Sequence, residues 1–361
     1  MAERVVLHIG SMKSGTSFIQ NVLGNNGDEL AQHGISFAGE RWRDQVAAVQ
    51  DLIASGGPNQ PPLDPAGPWC MLVDSINAAP GTVVVSMEFL APRVTRKIEI
   101  IRDSLEGRLE VVLTGRDLAR NIAAMWLESV QNGSAVTWDD YLGAVRSEDN
   151  QNPVARNFWN HQGLAAIARR WSDAVGADHF TLMTVPAKGA PSNLLWERFA
   201  QVLELDPGAF ELNVRANRSI GLATAMTLRH LNEILGRDGT PAADHKFYDL
   251  LVKHLLTKRG LVGRRGEPTL AVDERWVIKR GAAEVAALRK QGHRVIGDLD
   301  ELLPQKVGGV HPRQVSLEQQ LDAAMEGLAK MTEIGMEREV KHRQRLRRRK
   351  QQQQKQQRRN A

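Results

Sequence analysis

Cysteine is almost absent from this sequence: Cys70 stands alone among 361 residues. A single thiol excludes an intrachain disulfide and any multi-cysteine metal site, and it fits a reducing compartment. Aromatic residues are scarce too, at 5% of the chain with only two tyrosines. No apolar run approaches the roughly 20 residues that a membrane-spanning helix needs. Met-Ala-Glu-Arg leads directly into the first apolar run, so the expectation is a soluble, cytoplasmic protein without a signal peptide. Acidic residues are missing from the basic C-terminal stretch. Residues 341–361 hold ten Lys or Arg and no Asp or Glu, whereas residues 1–340 carry 37 basic against 42 acidic side chains. The net charge of +5 therefore belongs to the tail, and the overall charge gives no reason to read the chain as nucleic-acid-binding.

What is present is concentrated at the start. Val5–Ile9 is an apolar, β-branched run of the kind that forms a buried strand, and Gly10–Gly15 is a turn of small residues. Beyond it Phe18 and Val22, and Ile19 and Leu23, recur four apart, the spacing of one helix face. Strand, glycine turn and helix together aim backbone N–H groups and a helix N-terminus at an anion. Thr16 and Ser17 are expected to cap that helix and to offer hydroxyls to the anion. The glycine spacing is that of the Walker A loop, but the order is not: that motif needs Lys immediately after the second glycine, and here Lys13 lies inside the turn and Thr16 follows Gly15.

Along the chain, the first helix is predicted over Ser17–His33, then a short strand at 34–37 and a helix over Arg43–Ala54. Residues 55–68, with five prolines and three glycines, read as a long surface loop. Strands are predicted at Gly81–Leu90, Leu109–Gly115 and His179–Val185, with helices at Asp117–Gln131 and 157–174 between them. In the last of these, Leu164, Ile167, Ala168 and Trp171 share a face. Strands alternating with helices predict an α/β fold of three layers around a mainly parallel sheet. Residues 190–304 read as largely helical and 307–312 as a linker. Leu317, Leu321, Ala324, Leu328 and Met331 then follow a coiled-coil rhythm that is expected to stop at Gly335. That seam suggests a partner helix or a homo-oligomer through the 315–334 helix, set against a helix packed on its own domain. The tail after Val340 is low-complexity, either a solvated segment or a charged helical extension. Contact of this basic tail with nucleic acid or an anionic membrane is a further expectation, although no aromatic residues are interleaved with its charges.

The turn Met12-Lys-Ser-Gly-Thr-Ser17 resembles the 5′-phosphosulfate loop of the sulfotransferases that use 3′-phosphoadenosine 5′-phosphosulfate (PAPS), typically Pro-Lys-[Ser/Thr]-Gly-Thr-Thr. Met12 stands where proline is usual and Ser17 where the second threonine is. Asp117 through Trp126 to Gly133, Phe158-Trp159 with Arg170-Trp171, Asn217–Gly221 and Gly297–Pro304 are similar to bacterial, actinobacterial-type members. The resemblance covers about residues 1–304, leaving 305–361 as linker, helix and basic tail. It implies a P-loop-like fold, transfer of a sulfuryl group to a hydroxyl or amine of a small-molecule or glycan acceptor, and no metal. It assigns Lys13, Ser14, Gly15, Thr16 and Ser17 to the 5′-phosphosulfate and Arg116, after the 109–115 strand, to the 3′-phosphate. The family's serine eight residues beyond that arginine is Ala124 here, so Ser129 is taken as the nearest hydroxyl. For a third, late contact Arg218 is named beside Lys258-Arg-Gly260 and Arg264-Arg-Gly266.

A base must take the acceptor's proton. Glu88, at the end of the 81–90 strand, is the first candidate, and His161 the second, since no histidine lies between His33 and His161. His8, on the buried strand, reads as a core histidine with satisfied hydrogen bonds. Two other functions stay open on the residues: a P-loop nucleotide kinase or NTPase, and a catalytically degenerate nucleotide-binding module acting through its helical basic tail. The first lacks both a lysine after Gly15 and an aspartate at the end of the 109–115 strand, which closes in Thr114-Gly115.

Overall fold

Six parallel strands form one sheet in the order β2-β3-β1-β4-β5-β6, with β1 Ala2–His8, β2 Ile35–Phe37, β3 Gly81–Ser86, β4 Arg108–Gly115, β5 Phe180–Thr184 and β6 Arg294–Ile296. The computed structural model describes residues 1–57, 59–213, 219–237 and 245–360. Its helices are α1 Thr16–Asn25, α2 Gly27–Gln32, α3 Trp42–Ala54, α4 Pro68–Ala78, α5 Thr95–Ser104, α6 Leu118–Gln131, α7 Trp138–Ser147, α8 Pro153–Gln162, α9 Leu164–Val175, α10 Leu194–Leu203, α11 Leu222–Arg237, α12 His245–Tyr248, α13 Arg275–Gln291 and α14 Leu317–Asn360. A π-helical stretch, Asp249–Leu261, continues α12.

The chain divides into two compact units. The first comprises residues 1–125, 139–217 and 272–307 and contains the sheet. Side chains alternate across its strands, as they must with a period of two. Val5, Leu7, Val83, Val85, Val111, Leu113, Phe180 and Leu182 face a core shared with Ala48, Trp69, Ile98, Ile167 and Trp171. Val6, Val84, Val112 and Met183 face the opposite core, with Ile19, Leu23, Trp196 and Phe199. Helices thus cover both faces, which is the expected three-layer α/β/α fold. The predicted stripe on α9 is the packed one: Ile167, Ala168 and Trp171 are all fully buried, each of the two large side chains contributing about 1.5–3 kcal/mol.

Local chemistry moves several predicted boundaries. The first helix breaks at Asn26 (φ −116, ψ 36), whose Nδ2 donates to the Val22 carbonyl at 2.8 Å beside its own backbone N–H at 3.2 Å. The 157–174 helix is two, because Gly163 leaves the helical region at ψ 76. The strand predicted to reach Leu90 ends at Ser86, and Glu88–Leu90 forms a single 3₁₀ turn. β6 lies in the stretch read as largely helical; three residues between Gly292 (φ 68) and Gly297 (φ 101) are too few to show a period.

The second unit comprises residues 126–138, 218–271 and 308–361. Within it Tyr248 donates its hydroxyl hydrogen to Asn232 Oδ1 at 2.7 Å, and Asn232 Nδ2 closes on the carbonyls of Val130 and Ser134, both at 2.9 Å. α14 runs through Gly335 to Asn360 rather than stopping there. One interior glycine costs a helix only about 1 kcal/mol relative to alanine. The face of α14 that packs is Ala323, Gly327 and Ile334, with Leu256 and Leu261 against Gly327. The 317–321–328 seam points outward, its leucines being 83%, 60% and 61% exposed. Among the described residues, no helix is long and apolar enough to cross a membrane.

Candidate anion-binding site

The sheet order places β1 between β3 and β4, so the connections leaving β1 and β3 run to opposite sides. Ligands of open α/β sheets sit in the crevice at the carboxyl ends of strands at such a point. Residues 9–15 occupy it. Gly10 (φ 46) and Gly15 (φ 83) take left-handed conformations, and so does Lys13 (φ 65). A Cβ on Gly10 would lie 2.3 Å from Thr16 Cγ2, and one on Gly15 2.5 Å from Leu195 Cδ2. Gly15→Ala is therefore expected to cost about 1–3 kcal/mol through backbone strain alone. Urea unfolding of the variant measures it, and an unchanged midpoint would show that the turn relaxes freely.

Three loop carbonyls are held from below. Ser14 Oγ donates to Ser11 O at 2.5 Å, Gln162 Nε2 to Met12 O at 2.9 Å, and Arg116 Nη1 to Lys13 O at 3.1 Å. In a trans peptide the next N–H points opposite its carbonyl, so the amides of Met12 and Lys13 turn away from these anchors. α1 opens with Gly15 as N-cap and no side-chain cap. Thr16 and Ser17 thus do not cap the helix, contrary to the expectation: both lie inside it, and the left-handed Gly15 occupies the capping position. The end of α1 retains the partial positive charge that attracts anions.

Beneath the loop lies a buried polar chain. His8 is fully buried, with Nδ1 2.7 Å from Ser86 Oγ and Nε2 3.2 Å from Thr114 Oγ1; Thr114 Oγ1 in turn is 2.6 Å from Ser14 Oγ. Ser14 spends its one hydroxyl proton on the Ser11 carbonyl. The proton order is then forced: Thr114 donates to Ser14, His8 Nε2–H to Thr114, and Ser86 to His8 Nδ1. Burial lowers the His8 pKa from 6.5 to about 3, so the ring is neutral, as this chain of donors requires.

Arg116 leaves β4 beside the loop. Burial, followed by the neighbouring Arg120, lowers its pKa to about 10, against which Asp117 acts. It remains a cation at neutral pH, and among the described residues no carboxylate forms an ion pair with it. Arg120 differs: it is ion-paired with Asp117 and donates to Pro186 O at 3.3 Å. Glu88 sits over Gly10, its Cβ 3.6 Å from where a Gly10 Cβ would be. Gln20 Nε2 donates to Glu88 Oε2 and to Ser86 O, both at 3.0 Å, and thereby orients the carboxylate. His161 is the penultimate residue of α8, just before the loop anchor Gln162. Its pKa falls to about 4 through burial and then Arg93.

The structure thus brings Lys13, Ser14, Gly15, Thr16, Ser17, Arg116 and Glu88 together, with His161 beside the anchor of the loop. Ser129 belongs to the second unit, where its hydroxyl donates to Trp126 O at 2.8 Å. Arg218 lies outside the described residues. Of the other late basic residues, Arg259 pairs with Glu337, and Arg264 with Glu267 and Glu326. Sequence reasoning missed Gln20 and Gln162, because a glutamine's role here depends only on which main-chain or carboxylate oxygen folding places beside it. Among the described residues no group of three or more His, Cys, Asp or Glu is arranged to hold a metal ion.

Fold and site define an α/β protein with a doubly covered parallel sheet and an anion-type loop at its switch point. Neither a protein family nor a curated protein matches the chain. Among solved structures, the chain is similar to a sulfotransferase from Alicyclobacillus acidocaldarius, with 13% identity over 68% of this chain and 94% of that one and a TM-score of 0.40. Likeness at this level transfers neither residues nor a reaction.

Proposed function

We propose that this protein transfers a sulfuryl group from PAPS to a hydroxyl or amine of its acceptor. The observation that carries the reading is Lys13. It lies inside an anion-type turn at an uncapped helix N-terminus, its carbonyl held by Arg116, with which no carboxylate among the described residues forms an ion pair. Such a set of donors fits the phosphate and sulfate groups of the donor nucleotide. Bound there, PAPS would supply the sulfuryl group, its O–S bond to the 5′-phosphate breaking as a new bond from sulfur to the acceptor forms.

Each residue then has a defined task. Glu88, oriented by Gln20, takes the proton that the acceptor loses on attack. Lys13 neutralises the negative charge that grows on the departing phosphate oxygen, the kind of preorganised charge stabilisation that dominates group transfer. The loop amides with Thr16 and Ser17 hold the 5′-phosphate, and Arg116 holds a further phosphate. His161 is second to Glu88 as base: it lies beside the loop anchor Gln162, whereas Glu88 sits over Gly10 with its carboxylate held by Gln20.

Calorimetry with 3′,5′-adenosine bisphosphate tests this. Binding is expected without Mg²⁺, and Arg116→Ala should weaken it by roughly 10- to 100-fold, the worth of about 1.5–3 kcal/mol for a hydrogen bond to a charged group. A preference for ATP with Mg²⁺ would instead favour a kinase or NTPase. Binding without any sulfated product from an acceptor screen would favour the degenerate module.

A further inference from the structure

A second group of cations in the first unit also has no ion-paired carboxylate among the described residues. The turn that begins at Glu88 continues through a hydrogen bond from Arg93 N–H to Leu90 O at 3.0 Å. α9 pins this turn: Arg170 Nη2 and Trp171 Nε1 both donate to the Ala91 carbonyl at 3.2 Å. Arg170 is therefore held on Ala91, two residues before Arg93, and Arg93 is near enough to Arg170 and to His161 of α8 for their charges to interact. The atoms left over are informative. Arg93 Nε, Arg170 Nε and His161 Nδ1 are each shielded from solvent and have no hydrogen-bond partner among the described residues. Burial lowers the pKa of both arginines, Arg170 lowers that of Arg93 further, and Arg93 lowers that of His161.

Other arginines of the unit are treated differently. The difference is the carboxylate: Arg4, whose Nε is likewise unpartnered, pairs with Glu110, Arg198 with Glu301, and Arg280 with Glu148 and Glu284. Among the described residues no carboxylate forms an ion pair with Arg93 or Arg170. Two half-buried like charges with orphaned donors are unfavourable unless an anion joins them. A planar guanidinium pair suits an oxyanion better than it suits water. Arg93 also lines a cavity of about 450 Å³ with Arg96, Lys97 and Gln60. There the Lys97 ammonium is spent on the carbonyls of Leu52 and Ser55 and on Gln60 Oε1, and Arg96 Nε on Gly56 O at 3.2 Å. Of these cations, Arg93 keeps an unsatisfied donor.

We propose that Arg93 and Arg170, with His161, form an anion subsite for the acceptor, which therefore carries a carboxylate, sulfate or phosphate group near the oxygen or nitrogen that Glu88 deprotonates. This rests on the sulfuryl-transfer reading for the word acceptor; the anion subsite itself does not. The placement is chemically useful, because the turn that carries Glu88 also carries Arg93. A bound oxyanion would fix the acceptor against the base while staying apart from the Lys13 loop.

The test uses the full chain saturated with 3′,5′-adenosine bisphosphate, so that the Lys13 loop is filled, and titrates it with sodium sulfate against sodium chloride at equal ionic strength. One further sulfate equivalent is expected by calorimetry. It should weaken at least tenfold in Arg93→Ala and in Arg170→Gln, the glutamine being able to keep the bond to Ala91 O. Affinity for adenosine bisphosphate should stay unchanged. Absence of that equivalent, or its persistence in Arg93→Ala/Arg170→Gln, overturns the subsite. If an alanine variant does not fold, by circular dichroism, Arg93→Gln replaces it under the same criterion. Failure of adenosine bisphosphate to bind would sink the donor reading instead. The sulfate equivalent lost on changing Arg93 in the nucleotide-free chain would still decide the subsite.

Discussion

Lys13→Ala is expected to lower sulfuryl transfer by about 10²–10³-fold, the usual loss when one preorganised donor to a developing charge is removed. The loss should fall on kcat. Lys13 is assigned to charge that appears as the bond to sulfur breaks, so affinity for adenosine bisphosphate should change far less. The backbone supplies an unusual control. Lys13 sits at φ 65, a left-handed conformation that costs a non-glycine residue about 1–2 kcal/mol. Lys13→Gly should therefore fold with equal or greater stability while losing the same activity. Strain retained at a position where glycine would relieve it is what a functional side chain explains. Single-turnover rates together with urea midpoints for the two variants check this, and an active, stable Lys13→Gly enzyme would remove Lys13 from the mechanism.

Acidification should destabilise the first unit through His8. In the unfolded chain this histidine titrates near 6.5, whereas burial holds it to about 3 in the fold. Between those values the unfolded state binds more protons, so stability falls as pH falls, with a slope of about 1.4 kcal/mol per pH unit. The contribution is complete above pH 6.5 and is lost progressively toward pH 3. From pH 7 to pH 5 the loss from His8 comes to about 2 kcal/mol. No charged partner offsets it, since the ring meets Ser86, Thr114 and, at 5.2 Å between centroids, Phe199. His8→Gln removes the titration. Its unfolding free energy, already lowered at pH 7, should decline over the same window by about 2 kcal/mol less than that of the unaltered chain. Equal slopes for the two proteins would mean that His8 does not carry the effect.

Much of the architecture was legible because it is local. The apolar runs of β1, β3, β4 and β5 and the one-faced stripe of α9 are periodic signals carried by adjacent residues. The breaks at Asn26 and Gly163 were hidden because apolar spacing continues across them, while the deciding events are a side-chain hydrogen bond and one backbone angle. β6 exists through its pairing with β5, a contact between residues more than a hundred positions apart. In α14 the regular apolar spacing was real, yet the packed face is the small-residue side around Ala323 and Gly327, where the side chains of Leu256 and Leu261 fill the space.

The candidate site divides along the same line. By itself the sequence determined the contiguous parts: the turn Gly10–Gly15 with its internal lysine, the helix that follows, and an arginine at the end of β4. Chain connectivity alone brings these residues to one edge of a parallel sheet. Only the tertiary structure decided what surrounds them. It set Gln162 and Arg116 on the loop carbonyls, ran a polar chain from Ser86 through His8 to Ser14, aimed Gln20 at Glu88, and left donors of Arg93 and Arg170 without a partner among the described residues. Residue types are written in the sequence. Whether a buried donor is satisfied depends on which distant oxygen folding brings within about 3 Å of it.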